Sequence, residues 1–248
     1  MKARRYRAFQ ALLLALTGFF LLERVWSGKI LLYINQRYVL LVLLAAVGLI
    51  ILAQVVLEER KKEAAEAQAP GVTQHAGHLS AANLAWLAIP LLVGVVIPAR
   101  SLGTSALAAR GVEISSPFNL QGTSGAAALE RPATQRTLLD WIRAFHAASD
   151  PAALNGEAVD VIGFVYHDPR LKPEQFLIGR YTVACCIADA SAIGISVNWA
   201  AAAGLQNNQW VRVQGKLSAG QMDGKQVPVI DAAEVSLITE PDLPYLFP

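Results

Sequence analysis

Charge is sparse in this chain, and three early stretches have none. Of 248 residues only 16% are charged, against about 25% in ordinary soluble domains, and the mean hydropathy is +0.39. Residues 8–22, 39–57 and 84–99 contain no Asp, Glu, Lys or Arg. Cysteine is nearly absent: Cys185 and Cys186, side by side, are the whole supply. The net charge of +2 is unaccompanied by a Lys/Arg stripe interleaved with aromatics, so nucleic-acid binding has no electrostatic footprint. No G-x-S-x-G, H-E-x-x-H or Gly-rich phosphate loop occurs, which leaves no catalytic residues or cofactor to name from motif.

What is present divides the chain near residue 100. A run of about 20 apolar residues crosses the hydrocarbon core of a bilayer. Residues 39–57 meet that length, and 8–22 and 84–99 approach it once flanking residues are added. The expectation is three transmembrane helices over 1–99, with a cytoplasmic linker at 58–83. The basic start before 8–22 also fits a signal sequence, but Leu21-Leu22-Glu23-Arg24 has no small-residue cleavage site. Lys2, Arg4, Arg5 and Arg7 precede the first run, and Arg60, Lys61 and Lys62 follow the second. Positive residues beside a span stay cytoplasmic. The N-terminus is therefore expected inside, at the plasma membrane, and everything beyond residue 99 outside.

The third run holds Pro90 and Pro98, and its small residues Ala85, Ala88 and Gly94 would let another helix approach closely. In the linker, His75 and His78 read as solvated, because a structural metal site wants four ligands and none is near.

Residues 100–133, rich in Gly, Ser and Ala, read as a connection. Within 134–248, a helix from a Thr134 cap to about residue 148 is predicted by Leu138, Ile142 and Phe145 at helical spacing. The period then falls to two. Strands are predicted at 157–166, 175–187, 193–199, 209–217, 227–230 and 234–239, with a turn at Asp223-Gly224. The fold class is thus membrane α plus an extracytoplasmic β-rich domain, a small antiparallel barrel of the OB type or an open sheet.

The candidate site is the double cysteine. On a regular strand successive side chains alternate faces. Cys185 would then join Leu177, Tyr181 and Val183 as a small buried hydrophobe, and Cys186 would face the other way with Arg180 and Thr182. A strand end at 185–186 opens other readings: a soft-metal or metalloid site with His167 or Asp189, or a strained vicinal disulfide. His167-Asp168-Pro169 follows a strand and reads first as turn chemistry. The ligand-binding candidates are Cys185, Cys186, Asp189, His167, Asp168 and Arg180, with the metal unassigned.

Several stretches together resemble one bacterial family, the membrane subunits of two-component permease complexes. They are Ser27-Gly28-Lys29, Tyr33-Ile34-Asn35, Ile89-Pro90-Leu91, Gly163-Phe164-Val165-Tyr166, the double-cysteine segment 180–190, residues 210–215 and the tail 241–246. The resemblance implies N-terminal spans, a C-terminal domain of unassigned function and a large polytopic permease as partner. It carries over no catalytic or binding residue. It implies an accessory subunit whose outer domain gates, captures substrate or stabilises the complex. The alternative is a membrane-anchored thiol or metal-binding protein acting through Cys185 and Cys186. A cell-envelope enzyme is a third reading.

Overall fold

The computed structural model describes residues 2–66, 81–110, 130–222 and 224–247. The chain divides into two compact units, Met1–Arg100 and Ser101–Pro248. His75, His78 and Asp223 lie outside the described residues.

In the first unit, α1 (Lys2–Trp26) and α2 (Val39–Glu66) are long. Helix α1 stops at Gly28, whose φ of 72° is left-handed and costs a glycine little. Two short 3-10 turns follow, Lys29–Leu32 and Gln36–Tyr38, and the Asn35 side chain caps the second by accepting from the Arg37 N–H at 3.0 Å. Tyr6–Trp26 and Gln36–Glu59 are each long and apolar enough to cross a membrane. Little of either is covered by protein: Leu40, Leu44 and Ile51 are all more than half exposed. A soluble protein would have to hide such a surface.

Small residues set the packing of this unit. A Cβ on Gly18 of α1 would lie 2.9 Å from the Ala46 carbonyl and 2.7 Å from Ile50, so α1 and α2 meet closely there. Arg7 and Glu59 approach to 3.8 Å at the other end of the pair. The third apolar run forms α3 (Ala81–Val96), 16 residues with Pro90 inside. At 1.5 Å per residue it is about 24 Å long, shorter than a typical hydrocarbon core. Gly94 packs against the Phe20 ring of α1, and its carbonyl accepts from the Arg24 guanidinium at 2.7 Å. The helix that uses Gly94 is thus one from the same chain. Arg24 also lies over Phe20 at 4.7 Å.

The second unit opens with α4 (Thr104–Arg110). Helix α5 (Leu138–Ala147) is shorter than expected and starts later. Thr134 lies in a 3-10 turn, Ala133–Gln135, and Arg136 is extended. The cap is Thr137, whose side chain accepts from the Asp140 N–H while Asp140 accepts from the Thr137 N–H at 3.0 Å. That reciprocal box satisfies two donors that a helix start otherwise leaves open.

Six strands follow: β1 (Ala158–Tyr166), β2 (Gln175–Thr182), β3 (Ser191–Asn198), β4 (Trp210–Met222), β5 (Lys225–Leu237) and β6 (Tyr245–Leu246). They form one sheet in the order β1-β4-β5-β3-β2-β6, and β1 also pairs with β2 over Phe164–Tyr166. The β3–β5 and β2–β6 pairs are parallel and the others antiparallel. The two strands expected at 227–230 and 234–239 are one strand, β5, that runs through a bulge opposite Gln214 and Gly215. Gly215 is needed there, because a Cβ would fall among the Asp231 carbonyl and Ala232 backbone. The turn before β5 places Gly224 at φ 76°.

The core of this unit is the inner face of the sheet, Val159, Val161, Ile178, Ile195, Val211, Val213 and Ile230 among others. It is covered by Leu138, Trp141, Ile142 and Phe145 of α5. Helical spacing on one element and alternation on the other bring these residues to a single layer.

Candidate functional site

Strand β2 ends at Thr182, five residues before the expected limit, and that early end changes the cysteines. The Val183 N–H still bonds outward, to the Leu246 carbonyl at 2.9 Å. Beyond it the backbone curls round one carboxylate. Asp189 accepts from three successive N–H groups, those of Ala184 at 3.1 Å, Cys185 at 2.7 Å and Cys186 at 3.3 Å. A 3-10 turn, Ile187–Asp189, carries the carboxylate back to them. The sheet alternation therefore stops before the pair. Cys185 is exposed and Cys186 half-buried, the reverse of the strand expectation, and both are thiols rather than a disulfide.

The same curl brings the donors together. The two Sγ atoms and an Asp189 carboxylate oxygen lie within 4.8 Å of one another, as a group able to hold an ion. On a regular strand the two thiols could not have converged. Two sulfur donors beside one carboxylate suit a soft cation better than Mg²⁺ or Ca²⁺.

The other candidates stand elsewhere. The His167 N–H donates to Asn207 at 2.8 Å, and its ring nitrogen lies 2.9 Å from the Leu205 carbonyl. Asp168 is buried and holds Arg170 three ways: backbone N–H at 2.9 Å, Nε at 2.9 Å and a terminal nitrogen at 2.7 Å. The Arg170 hydrogen bonds keep its carboxyl below the usual carboxylate range. This is turn chemistry, and neither residue is in the cysteine cluster.

Arg180 is buried on β2. Its guanidinium donates to the carbonyls of Pro244, at 3.1 Å, and Leu243, and lies 5.6 Å from the Trp210 ring. Burial pushes its pKa down to about 10. It lines a half-open cleft of about 250 Å³ with Arg136, Leu138, Asp160, Ile162 and Arg212.

The cleft contains a network that motif reading missed. Asp160 on β1 takes a two-pronged bond from Arg212 on β4, at 2.7 and 2.6 Å, and a third from Gln214 at 2.8 Å. The Arg212 bond is the main cause holding the Asp160 carboxyl below its usual range. Only the register reveals it, since Ile162 pairs with Arg212 and Asp160 with Gln214. In the sequence these are merely polar positions on two alternating strands.

Residues 9–113 match the DUF1980 N-terminal domain and residues 134–248 the DUF1980 C-terminal domain. A Streptococcus mutans protein named "Putative two-component membrane permease complex subunit" is 25% identical over 89% of this chain and 92% of its own length. The UPF0703 protein YcgQ of Bacillus subtilis is 24% identical over 39% of this chain and 35% of its own. No solved structure matches the chain.

Proposed function

The chain belongs to the DUF1980 family, carrying both its N- and C-terminal domains, and from that premise we propose that it is an accessory membrane subunit of a permease complex. The observation that carries the reading is the pairing of two long, lipid-ready helices with a third too short to stand alone. Two or three helices are too few to build a transport path without a partner. Helix α3 is 16 residues with an internal proline, and a proline frees a carbonyl that a neighbouring helix satisfies best. The similarity to a Streptococcus mutans protein named as such a subunit supports the same conclusion. On this reading the partner is a polytopic permease, and the domain at 134–248 gates it, captures substrate for it or stabilises it.

The test is what accompanies the full chain when it is extracted from its native membrane in mild detergent. A polytopic membrane protein is expected in stoichiometric amount. Recovery of the chain as a monodisperse species with no such partner would refute the subunit reading.

The topology proposed is three crossings, with Met1 inside and the C-terminal domain outside. Arg7 near Glu59 joins the start of α1 to the end of α2. Arg24 on the Gly94 carbonyl joins the end of α1 to the end of α3. That arrangement supports α1 and α3 running the same way, so that residues after 97 leave on the face opposite Glu59. Reporter fusions after Glu59 and after Arg110 are expected to give opposite signals. The same signal from both would mean that α3 does not cross.

For the C-terminal domain we favour a small barrel of the OB type. Its support is the circuit of pairings: β1 to β2, β2 to β3, β3 parallel to β5, β5 to β4, and β4 back to β1. A sheet whose first strand finds both ends of such a circuit leaves few open edges.

A further inference from the structure

We infer that Cys185, Cys186 and Asp189 form a binding site for a thiophilic divalent cation of the Zn²⁺ or Cd²⁺ kind. Three observations meet there. The three donor atoms lie within 4.8 Å of one another. Zn–S bonds of about 2.3 Å and Zn–O bonds of about 2.1 Å at tetrahedral angles separate ligand atoms by roughly 3.6–3.8 Å. Closing the set around an ion needs movements of about 1 Å, within reach of χ1 adjustments, and neither thiol is locked in the core.

The carboxylate is fixed in advance. Three backbone N–H groups, from Ala184, Cys185 and Cys186, hold it against the thiols. An ionised carboxylate has about four acceptor positions, so one remains for a metal. The same three bonds fix the backbone that carries both sulfurs, and preorganisation of this kind removes part of the ordering cost of binding.

The donor set also selects. Two thiolates and one carboxylate exclude hard cations, which want oxygen alone. Vicinal disulfide formation is disfavoured, because adjacent Cα atoms stand about 3.8 Å apart where disulfides usually need at least 4.4 Å. Three protein donors leave a fourth tetrahedral position open. Structural zinc sites are closed by four protein ligands, whereas open ones accept water or an incoming ligand. An exposed site with an open position holds an ion that exchanges, as capture or hand-over requires.

Binding belongs to the chain alone, so its outcome is separate from the subunit reading. The full chain, purified in detergent with a phosphine reductant, is titrated with Cd²⁺ while the thiolate-to-metal charge-transfer band is followed. Zn²⁺ and Mg²⁺ are then used as competitors. One equivalent is expected, displaced by Zn²⁺ and unaffected by Mg²⁺. Cys185→Ser and Cys186→Ser should each remove most of the band and weaken binding at least 100-fold. Asp189→Asn should keep a band and weaken binding about 10-fold or more. Thermal unfolding of each variant checks the fold, and the exposed Cys185 makes Cys185→Ser the variant least able to disturb it. No band in the folded wild-type chain would overturn the site. So would a full band in folded Cys185→Ser, unchanged affinity in Asp189→Asn, or displacement by Mg²⁺.

Discussion

Trp141→Ala is expected to lower the stability of the C-terminal unit by about 3–5 kcal/mol, the usual range for emptying a large aromatic site in a core. Trp141 is fully buried at the centre of α5, flanked by Leu138, Ile142 and Phe145, and these four make the layer that covers the sheet. Arg136 lies over its ring at 4.7 Å, so the substitution also removes a cation–π contact. One effect runs the other way. The indole Nε1 has no hydrogen-bond partner among the described residues, and deleting an unsatisfied buried donor returns about 1–3 kcal/mol. The cavity wins, because most of the indole volume is hydrocarbon packed against strands that a ten-residue helix cannot follow inward. Trp141→Phe separates the two effects: it keeps much of the ring, drops the N–H, and should cost under about 1.5 kcal/mol. Pulse proteolysis of the full chain in detergent across a urea series gives both values. A loss under about 1 kcal/mol in Trp141→Ala would mean that α5 is not part of the cooperative core.

How far the sequence carried depends on how local each signal is. The apolar runs are self-sufficient signals, and α1, α2 and α3 lie over them. Strand β3 is buried on both faces from Ala192 to Val197 and showed only as a short apolar run. Alternation marked β1 and β4, where burial alternates along much of the strand and the pattern is written in consecutive residues. The end of β2 was illegible for the opposite reason. Val183-Ala184-Cys185-Cys186 continues a strand-like composition, and what stops the strand is a carboxylate several residues later that captures its N–H groups. That error moved Cys185 from the surface to the core and hid the convergence of the thiols with Asp189. The start of α5 was misplaced by a similar competition. Thr134 and Thr137 are equally good caps by type, and only Thr137 has an acidic residue three positions on to complete the box. The Asp160–Arg212–Gln214 network needed the β1–β4 register, which no local pattern contains.

Arg180→Met is expected to destabilise the same unit by about 2–4 kcal/mol and to release the C-terminal strand first. The opposing terms are large. Burial moves the Arg180 pKa down to about 10, and at about 1.4 kcal/mol per unit the wild type carries roughly 3 kcal/mol of strain in keeping the cation out of water. Methionine relieves that and keeps most of the aliphatic stem. What it removes is the pair of bonds to the Leu243 and Pro244 carbonyls, worth roughly 1.5–3 kcal/mol each for a charged donor, and it leaves both acceptors unmet. Those carbonyls lie just before β6, which pairs with β2 through Tyr181–Tyr245 and Thr182–Leu246. The Tyr245 hydroxyl in turn accepts from the Leu102 N–H at 2.9 Å. The guanidinium is therefore the clamp that holds a two-residue strand too short to hold itself. Hydrogen exchange should report this locally: the Val183 amide, bonded to the Leu246 carbonyl, should exchange at least 10-fold faster in Arg180→Met, while amides of α5 change only with global stability. If Arg180→Met leaves both stability and Val183 protection at wild-type values, the tail does not need the clamp. A buried cation kept at the wall of the cleft without structural return would then have to be explained by something it binds there.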